Sequence, residues 1–219
     1  NPKGMSREMR RDWLDDIAAI NQIKLEQTGD PEIATRIAQY EMSFRMQASV
    51  PELADLSDES QETLDLYGPG VTEPGTFAHN CLMARRLAER GVRFIQIYSG
   101  GHHNDNNWDA HGDLEKNHNY HAGNTDKPIA GLIKDLKQRG LLDETLIIWG
   151  GEFGRTPFGQ YRSGDPKKPT GRDHFGQAFS WIMAGGGVKP GSTYGETDEF
   201  GWNITKDPVH IHDMQATIL

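Results

Sequence analysis

The sequence predicts an α/β fold with a mostly parallel sheet between helices. Two observations carry this expectation. From residue 76 onward, helical and strand-like segments alternate: a helix over 76–90, a strand over 92–98, a helix over 126–139 and a strand over 145–149. Each strand-like run also ends in glycine, at Gly100-Gly101, at Gly150-Gly151 and, after a third run over 179–184, at Gly185-Gly186-Gly187. Helix and strand in alternation imply parallel neighbours joined by right-handed crossovers. A parallel sheet is covered on both faces and usually has more than three strands, so the sheet is expected to be incomplete.

The elements follow in order. Residues 6–27 read as a helix that Ser6 caps and Gly29 ends, with Trp13, Ile17, Ile20 and Leu25 on a rough apolar face. Asp30-Pro31 opens a second helix, proline being suited to the first helical position. Its apolar residues Ile33, Ile37, Tyr40 and Phe44 recur at helical spacing, and Pro51 is expected to stop it. Residues 51–67 should form short helical turns closing at Tyr67-Gly68. The region 1–68 thus reads as a helical part of the same domain that continues over 69–219. Phe77, Cys81, Ala84 and Ala88 line the helix over 76–90, and Gly91 stops it. A histidine-rich loop is expected up to about residue 124. Ile129, Leu132, Ile133 and Leu136 then form the buried face of the next helix, ended by Gly140. Residues 150–177 read as a long loop, 193–196 as part of a short hairpin, and Asp213 as the cap of a last helix.

Composition narrows the function. The net charge of −9 over 219 residues leaves no basic stripe to neutralise phosphates, which argues against a nucleic-acid partner. No apolar run approaches the ~20 residues of a membrane span. A single cysteine, Cys81, excludes an intrachain disulfide framework and a cysteine-rich metal site.

The chemistry-bearing residues gather at the strand ends. His102, His103, Asp109 and His111 follow the first strand, Glu152 follows the second, and Arg172-Asp173-His174 precedes the third. Carboxylates and imidazoles drawn from separate loops suit a divalent metal such as zinc or manganese. We expect Asp109, His111, Glu152 and His174 to hold it. Arg155 and Arg172 are candidates to clamp an anionic oxygen bidentately. The same residues also allow a plainer reading, in which Glu152 and Arg155 form a solvated pair after an ordinary strand and turn. His118 and His121 are expected on the surface, in a mobile loop. His210 and His212 are expected to share one face of an extended segment.

Several runs resemble one bacterial family, domain of unknown function 1501. They are Gly151-Glu152-Phe153-Gly154-Arg155-Thr156-Pro157, Trp108-Asp109-Ala110-His111 and Gly171-Arg172-Asp173-His174. Ala184-Gly185-Gly186-Gly187-Val188, Asp213–Leu219, Tyr40–Gln47 and Cys81–Leu87 continue the likeness. That family is in turn similar to the alkaline phosphatase and sulfatase superfamily. The resemblance implies an alkaline-phosphatase-like fold, one or two divalent metals (zinc, manganese or calcium) and hydrolysis of sulfate or phosphate esters. It implies a small anionic ester as substrate, a sulfated carbohydrate among the candidates, and an exported or periplasmic protein. It further implies that the chain is a C-terminal fragment lacking the nucleophile, in keeping with its stop at Ile218-Leu219. Phe153 stands where that superfamily has histidine, which favours the alternative of a binding or scaffold protein without turnover. Cys81-Leu82-Met83-Ala84-Arg85 approximates the sulfatase modification pattern, but Met83 departs from it and the segment reads as helix interior. Cys81 is therefore expected to be a buried structural residue.

Overall fold

The computed structural model of the chain describes residues 4–100, 107–160 and 171–219. They fall into two compact units, residues 1–58 and 59–219. The first is a helical pair, α1 (Arg7–Thr28) and α2 (Pro31–Ala54). Ser6 caps α1 by accepting from the Met9 amide, and Gly29 ends it in the left-handed conformation at φ 69°. Asp30 caps α2, with Pro31 at its start. Arg11 ties the two helices together: it bonds Glu41 at 2.7 Å and lies over the Phe44 ring at 4.7 Å. Pro51 does not stop α2, which continues to Ala54. The Asp55 amide donates back to the Pro51 carbonyl, so the helix closes one turn beyond the proline.

In the second unit, α3 (Gln61–Tyr67), α4 (Phe77–Glu89) and α5 (Leu114–Gln138) pack together. Tyr67, Cys81, Leu82 and Leu136 are almost wholly buried there. Gly131 lets α5 approach α3 closely, since a Cβ at that position would sit 2.5 Å from the Leu66 carbonyl oxygen. A buried charge network crosses the same helices. Arg85 forms ion pairs with Glu59 at 2.6 Å, Glu89 at 2.6 Å and Asp135 at 2.9 Å, and Arg86 pairs with Glu59. Arg139 joins Asp135 at 2.7 Å and Glu89 at 2.8 Å, and the Tyr67 hydroxyl donates to Asp135 at 2.8 Å. Arg85, Arg86 and Arg139 thereby face Glu59, Glu89 and Asp135, so each charge taken out of water has opposite partners.

The parallel sheet is not formed, and the alkaline-phosphatase-like α/β architecture is overturned. The strands are short and pair two by two, always antiparallel: β1 (Ile147–Trp149) with β4 (Ile182–Ala184), β2 (Gly154–Arg155) with β3 (His174–Phe175), and β5 (Glu196–Thr197) with β6 (Ile204–Lys206). Residues 92–98 belong to no ladder. They are rich in β-branched and aromatic residues, but among the described residues no strand pairs with them, so β propensity alone does not make them a strand. The glycines after β4 permit its end to lie close against the segment that leads into β1. Gly185, at φ +75°, comes so close that a Cβ would lie 2.3 Å from the Thr145 carbonyl oxygen, and the Gly186 amide bonds Leu142 at 3.0 Å. This contact sets Ala184 opposite Ile147.

The second departure is α5, which begins at Leu114 rather than near Asp126. His121, expected in a mobile loop, is buried on it, with Asn117 and Thr125 on the same face. A short helix, α6 (Ile211–Ile218), closes the described chain. His210 is its N-cap, and Asp213 returns a bond to the His210 amide. No helix among the described residues is long and apolar enough to cross a membrane.

Candidate metal centre

The site is assembled by an antiparallel pair and one loop. Residues 154–160 run against 171–175. Arg155 is opposite His174, and Gln160 bridges to Gly171. The Thr156 amide donates to Asp173 O at 2.9 Å, and the Gln160 amide to Gly171 O at 2.7 Å. The loop carrying Asp109 and His111 is stitched to this pair by the Arg172 amide, which donates to Ala110 O at 3.0 Å. Gly171 permits the approach, because a Cβ there would meet the His111 carbonyl carbon at 2.1 Å. Behind the loop, α5 holds it. The Asn117 amide group donates to Asn107 O at 2.7 Å, and the Trp108 ring packs on His118 and His121 with centroids 5.5 and 5.2 Å away.

This scaffold brings Asp109, His111 and His174 together. Their ligand atoms all lie within 4.8 Å of one another. His174 Nε2 is 2.8 Å from Asp109 Oδ1, His111 Nε2 is 3.0 Å from the same oxygen, and the two Nε2 atoms are 3.1 Å apart. Gln160 Oε1 lies 2.7 Å from His111 Nδ1. Because Oε1 only accepts, Nδ1 carries the proton and Nε2 presents its lone pair to the cluster. Asp109 Oδ1, His111 Nε2 and His174 Nε2 thus converge as a set of donor atoms suited to a cation. With metal–ligand bonds of about 2.0–2.1 Å, these separations correspond to ligand angles of about 90°, the spread of one octahedral face. The residues present therefore fit a divalent metal, and the chain has the capacity to bind one.

Arg155 completes the arrangement, with Nη2 2.6 Å from Asp109 Oδ1. Partial burial pushes the Asp109 carboxyl up. Hydrogen bonds from His174 and Arg155, with the nearby Arg155 and His111, outweigh it and hold the group at about 2. The Phe153 ring stacks at a tilt on His174, centroids 4.6 Å apart.

Of the sequence-derived candidates, Asp109, His111 and His174 converge. Glu152 is exposed and is not a member of the cluster. Arg172 spends its Nη1 on the Thr156 carbonyl at 2.9 Å. His102 and His103 lie outside the described residues. Cys81 is buried on α4, and burial raises its thiol to about 12. Sequence reasoning did not find Gln160 or Asp173, whose carboxylate lies 4.0 Å from His111 Nδ1 and accepts from the His174 amide. Asp173 adjoins a candidate ligand, a weak signal. Nothing in the sequence marks Gln160.

The family described as protein of unknown function (DUF1501) matches residues 1–219. The chain belongs to the DUF1501 family. No curated protein and no solved structure matches it. The DUF1501 match runs over all of residues 1–219 and gives no support to reading the chain as a C-terminal fragment. Nor does anything tie it to the alkaline phosphatase and sulfatase superfamily, whose large sheet is absent from the described residues. The sulfatase-like character and the export that this likeness implied lose their support with it.

Proposed function

We propose that this protein is a metal-dependent enzyme that hydrolyses small anionic esters at the Asp109–His111–His174 centre. The observation that carries this reading is the convergence of one carboxylate and two imidazoles from two distant segments. Two imidazoles and a carboxylate leave coordination positions open for water and substrate, the arrangement that catalysis requires. The metal, when bound, would act as a Lewis acid on an ester oxygen and lower the pKa of bound water. The chain's own residues hold the geometry. Gln160 keeps His111 in the tautomer that ligates through Nε2, and Phe153 walls one side of His174. Arg155 and Arg172 are the cations proposed to meet the anionic group. Zinc and manganese suit this donor set better than calcium, which prefers oxygen ligands throughout.

Metal analysis after equilibration with zinc or manganese tests the centre. The wild type should retain close to one equivalent, and Asp109→Ala and His174→Ala should lose it. Equal metal in all three sinks the reading. Turnover is tested with chromogenic phosphate and sulfate monoesters. Metal binding without turnover of any ester would give the centre a ligand-binding role instead. Glu152→Gln shows in the same assays whether this exposed carboxylate supplies a further ligand.

A further inference from the structure

We propose that Arg155 competes with a divalent metal for the Asp109 carboxylate and passes to an anionic ligand when the metal binds, so that metal and anion bind cooperatively. This inference rests on the metal-centre reading above. Its first support is the crowding of one atom. Asp109 Oδ1 has His174 Nε2 at 2.8 Å, His111 Nε2 at 3.0 Å and Arg155 Nη2 at 2.6 Å. A guanidinium stays charged and cannot ligate a metal. A metal on Oδ1 must therefore displace it or be repelled by it.

The second support is where the displaced group can go. The Arg155 backbone is fixed in β2 opposite His174, so the head group moves only by turning about its own side chain. The Phe153 ring, 5.9 Å from Arg155 Cζ, stays beside it. The third support is an unmet bonding need. Arg155 Nη1 is buried without a hydrogen-bond partner among the described residues. An oxyanion on the metal's open positions would offer acceptors to both terminal nitrogens, the bidentate geometry for which guanidinium is suited. Metal binding thus creates the anion site by releasing Arg155, and by linkage the anion tightens the metal by the same factor.

The test uses the full chain, Mn²⁺ as the metal and inorganic phosphate as the anion, with free Mn²⁺ followed by its electron paramagnetic resonance signal. Phosphate should tighten Mn²⁺ binding by the wild type by about tenfold. Arg155→Met should bind Mn²⁺ more tightly than wild type without phosphate, because the competing cation is gone. In that variant phosphate should change the affinity by less than about twofold. Arg155→Gln is read the same way if the Met variant folds poorly, with circular dichroism as the folding check. Three results overturn the proposal: no effect of phosphate on the wild type, weaker or unchanged Mn²⁺ binding without phosphate in the variant, or phosphate coupling that survives it. Asp109→Ala and His174→Ala separate the two levels. If they keep Mn²⁺, the centre itself is misassigned. If they lose it while Arg155→Met keeps the coupling, only the role of Arg155 fails.

Discussion

His111 and His174 are 63 residues apart in sequence, yet their Nε2 atoms lie 3.1 Å from each other. Both also face Asp109 Oδ1, His174 at 2.8 Å and His111 at 3.0 Å. The pair is held from outside rather than by mutual attraction: Gln160 fixes His111, and the β2–β3 ladder fixes His174. This arrangement generates the first prediction. Gln160→Leu removes the acceptor that sets the His111 tautomer while leaving all three ligands in place. Metal affinity should fall by about tenfold to a hundredfold, the usual cost of losing such a supporting bond. Isothermal titration with zinc checks it, and unchanged affinity would show that His111 orients without Gln160.

Gly171 gives the second prediction, through backbone rather than side chain. A Cβ there would lie 2.1 Å from the His111 carbonyl carbon and 2.2 Å from its oxygen. Neither atom is the end of a flexible chain, so the Asp109–His111 loop and the 171–175 strand must separate. Gly171→Ala should abolish metal binding and lower stability by about 1–3 kcal/mol, as overpacking does. Gly187, which has open space around the same position, is the control for the metal effect: Gly187→Ala pays only for its positive φ and should keep the metal. Retention of metal by Gly171→Ala would mean the loop is not held as described.

How much of this was legible in the sequence divides along physical lines. Helix ends were readable because their caps are local: Ser6, Asp30 and Gly29 all act within a few residues of themselves. Asp109, His111 and His174 were readable as ligand types. Pairing direction was not, because it depends on close approaches such as Gly185 to Thr145 that no local pattern encodes. The start of α5 was hidden by Asn117, Asn119, Gly123 and Asn124, all poor helix formers, and by Pro128 inside the helix. The face it buries there is polar, with Asn117, His121 and Thr125 spaced four apart, so an apolar periodicity search passes over it. Burial against Trp108 outweighs weak propensity.

The Arg85 network makes the third prediction. Its side chain is 2% exposed, and its partners Glu59 and Asp135 are 4% and 3% exposed. Arg85→Met would leave those carboxylates without their main buried counter-charge. Unfolding in urea should show a loss of about 3–5 kcal/mol, the cost of breaking a buried pair from one side. Arg36→Ala cuts an ion pair whose members are about two-thirds exposed, and the change should stay within about 0.5 kcal/mol. If both variants lost the same small amount, the network would be acting as a surface feature despite its burial.

His121 supplies the fourth prediction, a dependence on pH. Burial lowers its pKa below the ordinary 6.5, and the neighbouring His118 adds to the shift against a backbone bond with Asn107. In the folded chain the ring therefore stays neutral at a pH where the unfolded chain has begun to take up a proton. The unfolded state binds more protons in that window, so stability rises with pH there. The contribution of His121 is present in full above its unfolded pKa and is lost as pH falls through the lower folded value. His121→Gln removes the titrating group while keeping a polar side chain on the same helical face. Urea midpoints at about pH 7.5 and about pH 5.5 should drop less in this variant than in the wild type, even if its stability at the higher pH is lower. Because the Trp108 ring packs on His121 beside Asp109, the variant should also loosen the loop that presents Asp109. A fall in zinc affinity together with the flattened pH profile is the joint outcome expected. An identical pH profile in both proteins would mean that His121 ionises as freely in the folded chain as in the unfolded one, and that the buried face of α5 is open to water.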